Sequence, residues 1–385
     1  MFLDFREYLR IFYCIVICYF AFYSFFCYNS HHFGGVSVKK SYEYIQILLN
    51  YALNVQNGDR LLVCLPNTQK DFAWQLEQMA RDMGAVDVDV CYHNLVRSFD
   101  RIYNALGNDF KFLFFTSEND DSKYMKMVRD FISNYPDASF TVAVLPSKKW
   151  AYKAICKDAS SYGILEDILY HYSSIDGVDP FADWSNITID SDRKVGKIKN
   201  LKVNRFLVSD LQDTDLSFEF TDQVKGIFDG YKIKFFPNYK FDILPVPHTM
   251  NGYITSFKDI SVDGVRISDL RLCVSNGKII DYDCTSGFEV AKQLFQTSHP
   301  AYVKSVGLVD CSVPLYSAYG EIDNFVLDRT STSSIEVMCY DEVKQHYREV
   351  MIPIGSETLR VFGMDDYDKA NLIYAHQEFQ KKLFK

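Results

Sequence analysis

Five side chains in the second half of the chain are of the types that hold a divalent metal ion. They are the imidazoles of His248 and His346 and the carboxylates of Asp310, Glu336 and Glu349. Two cations held by such groups activate water and polarise a carbonyl group, which is the chemistry of metal-dependent hydrolysis. Their spacing matches no established motif, because the sequence contains no H-E-x-x-H, no G-x-S-x-G and no Cys–His signature. On residue type alone, the set is a candidate metal site.

The simplest interpretation of several of these residues is structural. His248 stands between Pro247 and Thr249, which predicts a loop position open to water. His346 lies in DEVKQHYREV, and we expect it on the solvent face of a helix. Glu349 follows three residues later and is predicted either to be exposed or to line a cleft.

Composition limits the classes of function. The chain has 385 residues with 41 basic and 50 acidic side chains, so its net charge of −9 provides no basic field for nucleic acid. Neither G-x-G-x-x-G nor G-x-x-x-x-G-K follows a predicted strand, so nucleotide binding is unsupported. The ten cysteines stand singly with no C-x-x-C pair, which favours free thiols and a cytoplasmic protein. A peptide or small-molecule partner fits better than nucleic acid.

Residues 1–40 stand apart from the rest of the chain. Residues 11–28 carry no charged side chain and approach the length that a membrane-spanning helix needs. Three interpretations remain open: a single N-terminal membrane anchor, translated sequence upstream of the true start, or a helix buried in an oligomer. We therefore expect the protein to be tethered to a membrane only if residues 11–28 are a true anchor.

Residues 41–200 alternate between predicted strands and helices. The strands RLLVCLP, VDVDVCY, FKFLFFTS and SFTVAVLP are separated by segments with helical spacing of apolar residues. This order predicts a doubly wound α/β domain with a parallel sheet.

The pattern changes near residue 201. Short strand-like runs are separated by Asp-Gly and Asn-Gly turns, which favour hairpins, and FEVAKQLFQ is one intervening helix. Residues 201–385 are therefore predicted to form an α+β domain with a largely antiparallel sheet.

The order of these segments resembles that of the aminopeptidase T family, the thermophilic leucyl metallo-aminopeptidase type. The resemblance rests on YALNVQNGDRLLVCLP, VAVLPSKKWAYKAI, DPFADW, NGYITSF, LRLCVSNGKIIDYDCTSGFEVAKQLF and the closing IPIGS, and covers about residues 41–360. It implies an α/β domain, a C-terminal domain with two divalent metal ions, and a homodimer that encloses the site.

Most ligands implied by the resemblance are replaced in this sequence. Met250 stands where the first Glu belongs, Leu308 ends the run that corresponds to L-G-E, and Ser334 falls at the His position. Glu349-Val350-Met351 stands in place of the closing H-x-D. A thioether, an alkyl chain and a hydroxyl are poor ligands for hard cations. We therefore expect no metal cofactor, and a degenerate cleft that binds a peptide or protein terminus and prefers apolar side chains.

The alternative is an active aminopeptidase whose metal ligands have moved. His248 and Asp310 lie two positions from Met250 and Leu308, and a two-residue slip on a strand keeps a side chain on its face. A rebuilt site would therefore use His248, Asp310 and Glu349. Glu336 lies two residues from Ser334, which on a helix points it about 200° away. A structural or assembly subunit is the remaining alternative.

Overall fold

The computed structural model describes most of the chain after residue 35. The apolar segment 11–28 and Asp310 lie outside the described residues. Within the part of the chain that the structure describes, no helix is long and apolar enough to cross a membrane. The described ranges are 36–66, 68–92, 109–117, 123–135, 137–155, 157–227, 234–262, 264–309, 324–355, 358–365 and 369–375.

A five-stranded parallel sheet forms the first half, as predicted. Its strand order is β2-β1-β3-β4-β7, and every pair is parallel. Strands β1, β3 and β4 are buried along nearly their whole length, which explains their continuous apolar sequences. The strands are β1 (Arg60–Leu65), β2 (Asp87–Tyr92), β3 (Phe110–Thr116), β4 (Phe140–Val144) and β7 (Phe235–Phe236).

The helices around this sheet follow the predicted spacing. In Lys70–Asp82, the side chains of Phe72, Leu76 and Met79 recur at helical intervals and are buried. Asp179 caps the helix that begins at Pro180, since its carboxylate accepts from two backbone N–H groups of the first turn. The helices are α1 (Val36–Ile47, continued by a π-helical turn Leu48–Ala52), α2 (Lys70–Asp82), α3 (Lys123–Asn134), α4 (Lys148–Ala154), α5 (Ser161–Tyr172) and α6 (Pro180–Lys199).

Two later segments return to the first core. Strand β7 adds the fifth strand of the parallel sheet, and the Phe236 ring lies 4.7 Å from that of Trp184. Helix α8 (Phe325–Thr330) buries Val326 and Leu327 in the same core. No segment beyond residue 200 is predicted to join this sheet, because β7 is only two residues long and carries no periodicity.

The second half is an antiparallel sheet with its own core, as predicted. Strand β8 pairs with both β6 and β14, so β6, β9, β12, β13, β14 and β8 form a closed ring. The remaining elements are β5 (Arg205–Ser209), β6 (Asp215–Lys225), β8 (Lys240–Pro245), β9 (Asn251–Thr255), β10 (Ile260–Val262), β11 (Val265–Ile267), β12 (Arg271–Ser275), β13 (Lys278–Asp283), α7 (Phe288–Phe295), β14 (Tyr302–Val309), β15 (Ser334–Asp341), β16 (His346–Pro353), β17 (Arg360–Met364) and β18 (Ala370–Ala375).

The prediction of a helix around His346 is wrong. Strands β15 and β16 form an antiparallel hairpin in register from Ser334 opposite Pro353 to Asp341 opposite His346. The Asp341 carboxylate accepts from the backbone N–H groups of Val343 and Lys344 at 3.0 and 2.9 Å. This turn directs the chain back along β15, and pairing with β15 outweighs the weak helical spacing of a charged segment.

Candidate functional site

One face of strands β8, β14, β15 and β16 lines a cavity of about 1230 Å³. Gly307 lies opposite both Asp242 and Ser334, while Glu336 lies opposite Ser305 and Met351. Residues directly opposite each other in a sheet share a face. The polar side chains of four strands therefore converge on one cavity wall.

The parallel-sheet half also contributes residues to the cavity. Arg129 and Asp130 from α3, Phe140 from β4 and Phe235 from β7 line it, together with Arg329 from α8. The Arg329 guanidinium lies 4.8 Å from the centre of the Phe235 ring, a contact that holds the cation in place. The cavity thus lies between the two halves.

Four charged side chains that line the cavity form a closed cluster, which we call the charge ring. It consists of Lys304, Arg329, Glu336 and Glu349. Glu336 Oε2 lies 3.5 Å from Lys304 Nζ, and Glu336 Oε1 accepts from Arg329 at 3.4 Å. Glu349 is ion-paired with both cations through its two oxygens. Each carboxylate therefore contacts both cations, and each cation contacts both carboxylates.

A buried lysine extends the charge ring into the sheet. Lys240 is 5% exposed, and its ammonium group donates to Ser334 Oγ at 3.0 Å. It also lies 3.6 Å from Glu336 Oε1 and 3.8 Å from Asp242 Oδ1. Gly307 leaves room for this arrangement, since a Cβ there would lie 2.7 Å from both Asp242 Oδ1 and the Lys240 side chain. A Cβ at position 307 would therefore force the Asp242 or Lys240 side chain to shift.

The two buried carboxyl groups have opposite pKa shifts. Burial by itself raises the pKa of Glu336, but Lys240, Arg329 and Lys304, with the hydrogen bond from Ser305, hold it well below its usual range. Burial raises the pKa of Asp242, and the nearby Glu336 charge adds to that effect against the attraction of Lys240. The environment therefore favours charge on Glu336 and a proton on Asp242.

The structure separates the residues that the sequence placed at the family's ligand positions. Glu349 and Met351 line the cavity, and Ser334 reaches it through its hydrogen bond to Lys240. Met250 and Leu308 are each 1% exposed and pack in the core of the second half. Leu308 follows Gly307 on β14, so its side chain lies on the opposite face of the strand. Met250 and Leu308 are therefore not among the described residues that line this cavity.

The residues proposed for a rebuilt metal site are not seen together. His248 is exposed on the turn between β8 and β9, with a left-handed φ of 67°, and is not among the described residues that line the cavity. Glu349 belongs to the charge ring, and Asp310 lies outside the described part of the chain. No group of three His, Cys, Asp or Glu side chains within the described ranges is placed to hold a metal ion.

The prediction that Glu336 points away from Ser334 is wrong. Ser334 and Glu336 lie on a strand, where residues two apart share a face, and both contact Lys240. Sequence reasoning also missed Lys240, Asp242, Lys304 and Arg329. A signal existed in KFDILP, because Lys240 and Asp242 alternate with the buried Phe241 and Ile243, which is typical of a strand with one polar face.

The chain belongs to a known peptidase family. Residues 114–333, more than half of the sequence, match the family model described as "Thermophilic metalloprotease (M29)". This match confirms the predicted resemblance to the aminopeptidase T family.

Two relatives extend the comparison beyond the matched segment. The chain is 21% identical over 340 residues to "Aminopeptidase AmpS" of Bacillus subtilis (strain 168), covering 76% of this chain and 82% of that protein. The solved structure "Wild-type AmpT from Thermus thermophilus" superposes with a TM-score of 0.67 at 15% identity, covering 88% of this chain and 98% of that one. At this identity the second likeness concerns the fold.

Proposed function

We propose that this chain binds a peptide or protein terminus in the cavity between its two halves and does so without metal ions. The charge ring is the observation that carries the proposal. In a metal site, carboxylate oxygens face the cation, whereas both carboxylates here face ammonium and guanidinium groups. These cations offset the negative charge of both carboxylates and would repel a further positive ion.

The family description implies a metal, but the described donors do not fit one. Of the seven Asp and Glu residues that line the cavity within the described ranges, six are paired with Lys or Arg, and Asp341 accepts from its own turn. The predicted replacements Met250, Leu308, Ser334 and Met351 supply no carboxylate or imidazole ligand. The proposed function therefore includes no hydrolytic step at a metal ion.

Peptide binding follows from the family and the size of the cavity. The relative from Bacillus subtilis is named an aminopeptidase, and such enzymes act on the ends of peptides. Pockets for small ligands commonly occupy about 300–1,000 Å³, so a cavity of about 1230 Å³ has room for a short peptide. In the proposed function, the protein uses this cavity to bind a peptide and does not carry out metal-dependent hydrolysis. A homodimer remains a prediction.

Metal content and peptide turnover, measured on one preparation, test the proposal. The purified chain is incubated with Zn²⁺, Co²⁺ or Mn²⁺, desalted and submitted to elemental analysis, and release of N-terminal residues from leucyl peptides is followed. Bacillus subtilis AmpS serves as the positive control. We expect less than one metal equivalent and no turnover, together with measurable peptide binding. About two equivalents of metal with turnover would establish the alternative, an active aminopeptidase with relocated ligands.

A further inference from the structure

Strand β16 is an edge strand, and most of its length borders the cavity. Among the described strands it pairs with β15 alone, and it stands at the end of the strand order of the antiparallel sheet. The consecutive residues from His346 to Met351 all line the cavity, although neighbouring side chains on a strand point to opposite faces. The cavity therefore reaches the unpaired edge of β16 as well as one of its faces.

The backbone hydrogen bonds show which residues of β16 turn their polar groups toward this edge. Ile354 N–H donates to Ser333 O at 2.9 Å, so these two residues form a hydrogen-bonded pair. Hydrogen-bonded and non-hydrogen-bonded pairs alternate along an antiparallel ladder, so the pairs that contain Tyr347, Glu349 and Met351 are non-hydrogen-bonded. The N–H and C=O groups of these three residues therefore point away from β15, toward the open edge.

One residue already uses one end of this edge. Phe257, which follows β9, donates its backbone N–H to Pro353 O at 3.0 Å, as a residue of an added strand would do. Toward the hairpin turn, the backbone groups of Tyr347, Glu349 and Met351 make no hydrogen bond within the described residues. An unpaired edge with free N–H and C=O groups is a template for another extended chain.

The first half of the molecule lies beside this edge. Asp130 of α3 pairs with Lys344 in the hairpin turn, and Arg329 of α8 pairs with Glu349. The space next to β16 is therefore part of the cavity between the two halves and not an open outer surface. A neighbouring strand lies about 4.8 Å away, so a single extended peptide fits there. A second copy of the chain would require the two halves to move apart.

We propose that the peptide ligand binds as an added β-strand along the edge of β16. Its backbone N–H and C=O groups pair with those of Tyr347, Glu349 and Met351, which span about 14 Å of strand. Alternate side chains of the ligand then lie on the face that carries the charge ring. The ligand is thus an extended peptide of about five residues or more. This inference rests on the proposed peptide binding and adds the conformation of the ligand and the residues that hold its backbone.

A scan of N-methylated peptides tests the inference from the side of the ligand. The probe is a seven-residue peptide of alternating Thr and Val with a dye at its C-terminus, and its binding to the full chain is followed by fluorescence anisotropy. Each variant peptide carries one N-methylated amide, which removes one donor. Only alternate amides of an added strand face β16, so we expect losses of roughly three- to tenfold at alternate central positions. The intervening positions should change affinity little.

Two substitutions at one position test the inference from the side of the protein. Tyr347→Pro removes an N–H that points to the open edge and leaves the pairing with β15 intact, as proline on edge strands does. Tyr347→Ala is the matched control, because it removes the same side chain and keeps the N–H. We expect Tyr347→Pro to bind the unmodified peptide roughly three- to tenfold more weakly than Tyr347→Ala. If the Pro variant does not fold, the peptide scan decides.

The other outcomes separate this inference from the proposed function. Equal losses at every N-methylated position, or no loss at any, would overturn the added strand and leave peptide binding standing. Failure of the unmodified peptide to bind would overturn the proposed function, and this inference with it. A wild-type dimer that Tyr347→Pro converts to a monomer, measured by analytical ultracentrifugation, would assign the edge to a second copy of the chain and would also overturn the inference.

Discussion

Ser334 and Glu336 lie on the same face of β15 and share one cation. The Lys240 ammonium donates to Ser334 Oγ at 3.0 Å and lies 3.6 Å from Glu336 Oε1. Ser334 stands where the family resemblance places a metal-ligating His, so a lysine ammonium occupies the neighbourhood of that position. The charge ring then continues from Glu336 to Arg329, Glu349 and Lys304.

Loss of the Glu336 charge should destabilise the fold strongly. Glu336→Gln leaves Lys240, Lys304 and Arg329 partly uncompensated in a buried cluster, and we expect a loss of about 3–5 kcal/mol in the free energy of unfolding. Urea denaturation at pH 7 measures it. Glu77→Gln is the matched control, because Glu77 forms an exposed i,i+4 pair with Arg81 and should change stability by less than about 0.5 kcal/mol. Similar values for the two variants would show that the charge ring contributes little.

A side chain at position 307 should disrupt the site by overpacking. Gly307→Ala brings a Cβ within 2.7 Å of Asp242 Oδ1 and of the Lys240 side chain, and we expect about 1–3 kcal/mol of destabilisation. Gly163→Ala is the control, since a Cβ at that helical position meets no atom within 4 Å. The control should be neutral or stabilising by up to about 1 kcal/mol. Thermal or urea unfolding of both variants checks this, and an unchanged Gly307→Ala protein would contradict the described packing.

The contributions of Asp242 and Glu336 to the free energy of unfolding should change with pH in opposite directions. The pKa of Asp242 is raised in the folded state, so its contribution is fully present below its ordinary pKa of 3.8 and is lost as pH rises through the folded value. Asp242→Asn mimics the neutral carboxyl, and we expect the variant to gain stability relative to the wild type between pH 4 and pH 8. Unfolding measured at both pH values tests this, and a variant that loses stability as pH rises would contradict it.

The contribution of Glu336 to the free energy of unfolding should decrease as pH falls. Its folded pKa is lowered, so its stabilisation is fully present above the ordinary Glu pKa of 4.5 and is lost as pH falls through the folded value. The destabilisation caused by Glu336→Gln should therefore be largest near pH 7 and should decrease below pH 4.5. Unfolding curves of variant and wild type from pH 3 to pH 7 measure the difference. A difference that does not vary with pH would show that Glu336 is not charged in the fold.

Metal addition should leave the thermal stability of the protein unchanged. A ligand that binds only the folded state at about 100 times its dissociation constant adds about 2.7 kcal/mol to the free energy of unfolding. Because we propose that no metal ion binds the folded protein, we expect no rise in melting temperature with Zn²⁺, Co²⁺ or Mn²⁺. We also expect no fall in melting temperature after EDTA treatment. The His248→Ala variant should behave in the same way, because that imidazole is exposed on a turn. A metal-dependent rise that His248→Ala abolishes would support the rebuilt site.

Local sequence determined the elements of the fold. Strands β1, β3 and β4 are continuous apolar runs that must be buried on both faces, and the Asp-Gly and Asn-Gly turns of the second half separate short strands. Periodicity and turn chemistry act between neighbours along the chain, so the amino-acid sequence is enough to predict these features. The resemblance to the aminopeptidase T family was carried by the same segments.

Only the tertiary structure decided the site. Lys240, Lys304, Arg329 and Glu336 come from three strands and one helix, and their meeting depends on the registers of β8, β14 and β15 and on the position of α8. The Glu336 side chain lies on the same face as Ser334, against the prediction, because pairing with β16 makes their segment a strand. In a strand, residues two apart share a face. Register and strand pairing are long-range interactions. The order of residues alone therefore cannot predict which charged side chains meet across paired strands.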